Sequence, residues 1–474
     1  MSDVKDDKIV YPYIPNSSPG IQREMMEYVG VESLWDLYEE IPENLRYTKR
    51  LDIPEAIPDE LSMKRHIENV LAENITSNEY MSFLGAGCAN HYVPAVVDEI
   101  TARGEFLTCY GAESWADHGK YQTFVEYNSM LAELLETEVM SVPQYDGSQS
   151  VATAICMANR INNKQSVLLP ETMDPQIKRV VLNYIDSNQP EHAIKPVFIK
   201  SVEGFGTIDM DDLAAKLDDD VTAILVEPVN FLGVMEPNVD KIGALAKSKG
   251  IEMIAYVDPI SLGVLEAPVK YGATIVCGDL HSLGLHLSCG NGQAGFISTL
   301  SEEKYLQNYK DFIYSFVEPE VEGEYVFGNV LISRTHYARR AKGNEYTGTQ
   351  SALWMVSAAV YMALMGPKGF QKIGESILYH SNYAAKKLTA LKGVKLPLKG
   401  AFFREFVVNF DDSGKTVAEI NEELLKRGIF GGFDLSRDFP HLGQSALFCF
   451  TEVTGKFEID ALISALTDIL TKIR

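Results

Sequence analysis

Cysteine is scarce in this chain of 474 residues: there are six, and no two form a C-x-x-C pair. That excludes a disulfide-stapled scaffold and a cysteine metal site, and it suits a reducing compartment. Basic residues are also in deficit, 42 Lys and Arg against 66 Asp and Glu, which leaves a net charge of −24 with no basic run to interrupt it. A nucleic-acid groove or an anionic membrane surface is excluded as the main partner. Long apolar runs are missing too. The longest, Ala352 to Met365, is broken by Ser357 and stops at Gly366-Pro367, short of the ~20 residues that a membrane span requires. The first sixteen residues carry Asp3, Asp6 and Asp7 and lack the apolar core of a secretory signal. Glycine and proline, 35 and 20 residues, are too few for a fibrous or disordered chain. These absences leave a folded, acidic protein with a cytoplasmic location.

Several familiar motifs also fail on inspection. Gly414-Lys415-Thr416 resembles the end of a phosphate-binding loop, but Asn409 stands where the loop needs its first glycine. Asp412-Ser413-Gly414 reads as a turn, and Thr416 with Glu419 as a capping box. Gly85-Ala86-Gly87 half-matches a dinucleotide fingerprint whose third glycine is here Asn90. His281 and His286 lie five apart, His91 and His118 stand alone, and neither H-E-x-x-H nor G-x-S-x-G occurs.

A regular grammar does run through the chain. The first 80 residues, with Pro12, Pro15, Pro19, Pro42, Pro54 and Pro58, read as an arm without a core of its own, ending in a helix from Leu61 to Ile75. From Asp117, expected to cap a long helix, short apolar strands alternate with helices: Val139 to Val142, Val167 to Leu169, Val197 to Ile199, Val221 to Val226 and Ile251 to Val257. Such alternation predicts a parallel sheet covered on both faces, spanning 81–330. Residues 331–474 read as a smaller α+β domain, bridged by the helix Ala352 to Met365. The strands are Phe402 to Phe410 and Ala446 to Phe450, and the helices Thr416 to Arg427 and Ile459 to Ile473.

Three features cohere on the large domain. Tyr145-Asp146-Gly147-Ser148 opens a helix after a strand and could cradle an anion. Asp258 closes the next-to-last apolar strand, putting a carboxylate at the edge where open α/β sheets bind ligands. Gly278-Asp279-Leu280-His281-Ser282-Leu283-Gly284-Leu285-His286-Leu287 follows the strand Thr274 to Cys277. In this order a pyridoxal-phosphate enzyme meets its phosphate, its pyridinium nitrogen and its Schiff-base lysine. The lysine is missing: between Lys249 and Lys304 only Lys270 occurs, on the amino side of the strand at Thr274.

These residues resemble the α chain, or subunit 1, of the two-chain glycine decarboxylase, the P-protein of the glycine cleavage system. The likeness is carried by Ser82 to Gly87, His91 to Val97, Tyr145-Asp146-Gly147, Asn230 to Val234, Val257-Asp258-Pro259, Gly431-Gly432 and Thr451-Glu452. It implies a type I, aspartate-aminotransferase-like α/β fold. It also implies an α2β2 assembly in which a β-type chain carries the pyridoxal phosphate, a small amino acid is the substrate, and a lipoylated H-protein takes the aminomethyl group. By the same resemblance, Ser148, Asp258, His286 and Leu287 form a degenerate site of this chain, with Leu287 in the place of the lysine. Tyr110, His91 and Tyr92 would be contributed to the β site, and Asn344, Tyr346 and Thr347 would reach the partner's phosphate. The chain departs from the family at 111–119 and 342–348, where Glu345 would oppose a phosphate unless turned away or paired. Two other readings share these residues: a paralogous subunit acting on another small amine or amino acid, and a noncatalytic partner of a pyridoxal-phosphate enzyme.

Overall fold

The structure, a computed structural model, describes residues 13–49, 51–107, 115–186, 193–288, 293–340, 345, 347 and 351–471. The chain divides into two compact units, Met1–Asn74 and Ile75–Arg474. In the first, Pro19 starts a helix that ends at Val29 before the left-handed Gly30, and Asp59 caps the helix Glu60–Leu71 through the Ser62 N–H at 2.8 Å. Neither helix has a buried residue.

The second unit is built on a seven-stranded sheet. Its strands are β1 (Val139–Met140), β2 (Ser166–Pro170), β3 (Lys195–Ile199), β4 (Val221–Val226), β5 (Glu252–Val257), β6 (Ile275–Asp279) and β7 (Gly295–Thr299), in the spatial order β1-β7-β6-β5-β4-β2-β3. The five strands β2 to β6 run parallel, and β7 pairs antiparallel with both β6 and β1. Alternate residues of the central strands enter two cores. Ile224, Val226, Met253 and Ala255 pack on one face, and Ala223, Leu225 and Ile254 on the other, as continuous apolar strands require.

A three-stranded antiparallel sheet, β8 (Glu405–Asn409), β9 (Phe433–Asp434) and β10 (Ser445–Cys449), forms the smaller layer, with β10 central. Met81–Ser82 pairs in parallel with Ile429–Phe430, so Phe83 joins this smaller core. Thr416 and Glu419 make the capping box of the helix Val417–Leu425, as their spacing implied.

One sequence expectation is extended and one is corrected. The helix from Ala352 ends at Gly366-Pro367 as expected, because Gly366 is not helical (φ +58°, ψ 179°), but a second helix follows at once, so that the span Ala352–Leu388 is two helices joined at a kink. Proline suits the first turn of a helix, so Pro367 restarts the helix after the break. The first segment packs into the large core, and Ala384, Ala385 and Leu388 into the small one. Asp117 does not cap the helix Tyr121–Leu135; it lies in the 3-10 turn Trp115–Lys120, and Lys120 occupies the cap.

Candidate functional site

Three neighbouring parallel strands, β4, β5 and β6, bring acids to the same edge: Glu227 follows β4, Asp258 follows β5 and Asp279 ends β6. They line a cavity of about 90 Å³ together with Asp174, His281, Arg404 and Glu405. No lysine is among its described lining residues.

Arg404 is the hub. Its Nη1 pairs with Asp258 Oδ2, and Nε donates to Glu405 Oε2 at 3.2 Å. The same Nη1 lies 3.4 Å from His91 Nε2. His91 Nδ1 lies 2.8 Å from Glu452 Oε2, and Glu452 Oε1 accepts the Tyr92 N–H at 2.8 Å. The Ser282 hydroxyl donates to Asp258 Oδ1 at 2.6 Å. Burial works to raise the Asp258 carboxyl, but Arg404, His91 and Ser282 outweigh it and hold the group below the ordinary carboxylate range. Burial likewise opposes the Arg404 charge, and Asp258 and Glu405 more than compensate.

Glu227, Asp174 and Asp279 make no such ion pair among the described residues. Burial raises Glu227 to about 8, with nearby Asp174 adding to the effect, and raises Asp174 to about 6 against the helix-cap bond from the Gln176 N–H. Burial also raises Asp279, whose two oxygens accept the His281 N–H at 2.6 Å and the Gly147 N–H at 3.1 Å. Gly147 begins the helix Gly147–Asn162, and a Cβ there would fall 2.6 Å from the Tyr256 hydroxyl. Glycine therefore lets this helix end approach β5 and β6, and a carboxylate of the chain itself takes the N–H of its first residue.

Of the residues singled out from sequence, Asp258 lies at the centre of this network and His91 beside it. Ser148 lines an adjoining cavity with Gly147, Asp279 and Cys88. His286 and Leu287 do not line the main cavity; His286 is exposed and pairs with Asp98 at 2.8 Å. The residue of that segment that does enter is His281, whose Nε2 lies 2.7 Å from the Ala89 carbonyl oxygen. Tyr92 is 62% exposed at the rim of the His91 network. Thr347 does not project outward: it is buried, donates to Gln144 Oε1 at 3.1 Å and accepts from Gln149 Nε2 at 3.3 Å. Glu345 is also internal and paired with Arg160. Tyr110, Asn344 and Tyr346 lie outside the described residues. Sequence reasoning missed Arg404, Glu405, Glu227 and Asp174. An acid immediately after Val226, as after Val257, was a readable signal for Glu227; nothing local marked Arg404.

The sheet order, with one reversed strand beside the parallel set and a smaller α+β layer, defines a type I pyridoxal-phosphate-enzyme fold. A sphingosine-1-phosphate lyase from Burkholderia pseudomallei shares it, with a TM-score of 0.64 at 12% identity over 91% of this chain and 94% of its own. The family model for the glycine cleavage system P-protein matches residues 12–466. A probable glycine dehydrogenase (decarboxylating) subunit 1 from Staphylothermus marinus is 35% identical over 98% of this chain and 99% of its own. A crystal structure of glycine decarboxylase (P-protein) of the glycine cleavage system, in inhibitor-bound form, superposes with a TM-score of 0.85 at 29% identity, covering 97% of this chain and all of the other. The chain belongs to the P-protein family, and its relatives place it with the subunit 1 chains.

Proposed function

We propose that this chain is the α-type subunit of a glycine decarboxylase, inactive alone, and that a β-type chain carries the pyridoxal phosphate. The observation that carries the reading is the state of the chain's own pocket. The residues there do not fit the cofactor: no described lining residue is a lysine, Asp258 is held by Arg404, and Asp279 takes the Gly147 N–H that a phosphate would need. The crowd of carboxyl groups also opposes a phosphate dianion.

The pair would act on glycine and pass the aminomethyl group to a lipoylated H-protein. This chain's part is to complete the β pocket. Among the described candidates, Tyr92 suits that role, because its ring is exposed while its backbone is fixed by Glu452. His91, buried against Glu452 and Arg404, positions this loop. Tyr110, Asn344 and Tyr346 remain candidates from the resemblance. Thr347 and Glu345 are committed inside the subunit, so the departure from the family at Glu345 is met by Arg160 rather than by a changed substrate.

The test is co-expression with the β-type chain of the same genome, followed by glycine-dependent exchange of the carboxyl carbon with bicarbonate. The pair is expected to exchange and to reduce with borohydride on the β chain only. A lysine adduct on this chain, or exchange by this chain alone, overturns the reading.

A further inference from the structure

We infer that the hairpin 313–330 is a docking element for the β-type chain, which receives it in a groove with an apolar floor and lysine or arginine on its rim. The inference rests on the proposed function, which supplies that chain. Strands Ile313–Val317 and Val326–Val330 pair antiparallel, and among the described residues they pair only with each other. The base of the hairpin is anchored: Ile313 and Tyr314 are buried in the two cores of the large sheet, and Val330 and Phe327 pack against the same cores. The distal half is not. Val317 and Val326 lie opposite each other at 62% and 56% exposure, and Phe316, Val321 and Tyr325 are exposed as well. Successive strand residues point to opposite faces, so Phe316 and Val317 put apolar surface on both faces of the ribbon. A two-stranded ribbon alone is marginal in water, and five large apolar side chains on one projection form a patch rather than scattered singles. Near the base the apolar surface continues into a groove beside the helix Tyr121–Leu135, lined by Val125, Phe316 and Leu331.

Charge selects the occupant. Glu318, Glu320, Glu322 and Glu324 occupy the connection between the strands, and no Lys or Arg occurs between Lys310 and Arg334. None of the four glutamates forms an ion pair among the described residues. An acidic tip on an apolar stalk is complementary to cations around an apolar floor. A second copy of this chain answers poorly, because it brings the same four glutamates and a net charge of −24, and a symmetric pairing would set like charges together. Continuity also favours the β-type chain. Fourteen residues along the sequence lead from Val330 to Asn344, which the proposed function keeps as a candidate for the β pocket, and Leu331 and Ile332 extend the exposed apolar surface toward it along the chain.

The test uses the full chain and the β-type chain of the same genome, with association followed by sedimentation and by calorimetric titration. Two variants change exposed side chains only: Val317→Ser with Val326→Ser removes apolar surface, and Glu320→Lys with Glu322→Lys reverses the charge of the tip. Each is expected to keep the wild-type thermal melt and to bind the β-type chain about tenfold or more weakly. Should the valine pair disturb the fold, Tyr325→Ser takes its place. Raising sodium chloride from about 50 to about 500 mM is expected to weaken the wild-type complex more than that of the lysine variant. If the wild-type chains associate and a folded variant of either kind binds as tightly, the inference is overturned and the proposed function stands. If the wild-type chains do not associate, both fall. A chain that sediments as a dimer by itself, and loses that dimer in the variants, assigns the hairpin to a second copy and also overturns the inference.

Discussion

At the edge of the sheet, five carboxyl groups surround a cavity, and two of them, Asp258 and Glu405, share the guanidinium of Arg404. Along the flank of helix Gly147–Asn162 the balance is opposite. Arg160, Lys310 and Arg334 outnumber Glu345 and Asp311, and the arginines hold main-chain oxygens: Arg160 Nη2 donates to Asn308 at 3.0 Å, and Arg334 Nη1 to Tyr309 at 2.8 Å and Asp311 at 2.7 Å. Burial, with Arg160 nearby, lowers Lys310 to about 8, and burial raises Asp311 to about 7. Both regions bury charge at a cost. In the flank the arginines tie down backbone carbonyls and fix the path of the chain; at the edge the acids take up one guanidinium, a serine hydroxyl and backbone N–H groups beside a cavity.

Removing the hub tests that contrast most strongly. Arg404→Met leaves Asp258 and Glu405 without their cation, and a loss of about 4 kcal/mol in urea unfolding is expected, partly restored by adding Asp258→Asn. A loss below about 1 kcal/mol would mean that the edge is solvated rather than a buried network.

Glu227→Gln should move stability the other way. The folded carboxyl titrates near 8 against 4.5 ordinarily, so between those values the folded chain keeps a proton that the unfolded chain has released. Its contribution is fully present below pH 4.5 and is lost as pH rises through 8. The variant is expected to be more stable by about 4 to 5 kcal/mol at pH 9, falling toward zero near pH 4, in parallel melts.

In the flank, Glu345→Gln should cost about 2 kcal/mol, with about 1 kcal/mol of coupling to Arg160→Met in a double-mutant cycle. Additive effects would break the assignment of this pair as a unit. The smallest change is Thr347→Val, which strands Gln144 and Gln149 at an expected cost of about 1 kcal/mol. No change in its urea midpoint would place the hydroxyl outside the scaffold.

The alternation of apolar strands and capped helices was legible, because each strand is buried on both faces and each helix has local stop signals. Val221 to Val226 matched to the residue. The stop at Gly366-Pro367 was also legible; what was not read is the second helix that Pro367 starts, whose end packs into the smaller core. At the site, Asp258 and the missing lysine were readable from position relative to strands. His281 rather than His286 enters the cavity, because the chain turns away after Gly284, whose φ of +79° follows the Leu280–Leu283 turn.

By itself the sequence determined the layered α/β class, the acidic surface, the family and the absence of a lysine between β6 and β7; these depend on periodicity, composition and order along the chain. Only the tertiary structure decided that Arg404, 146 residues away, neutralises Asp258, that Asp279 fills the end of the helix at Gly147, and that Glu345 turns inward to Arg160. Such pairings are set by which strand edges the fold brings together, and no local pattern encodes a contact between elements that meet only when the two layers close.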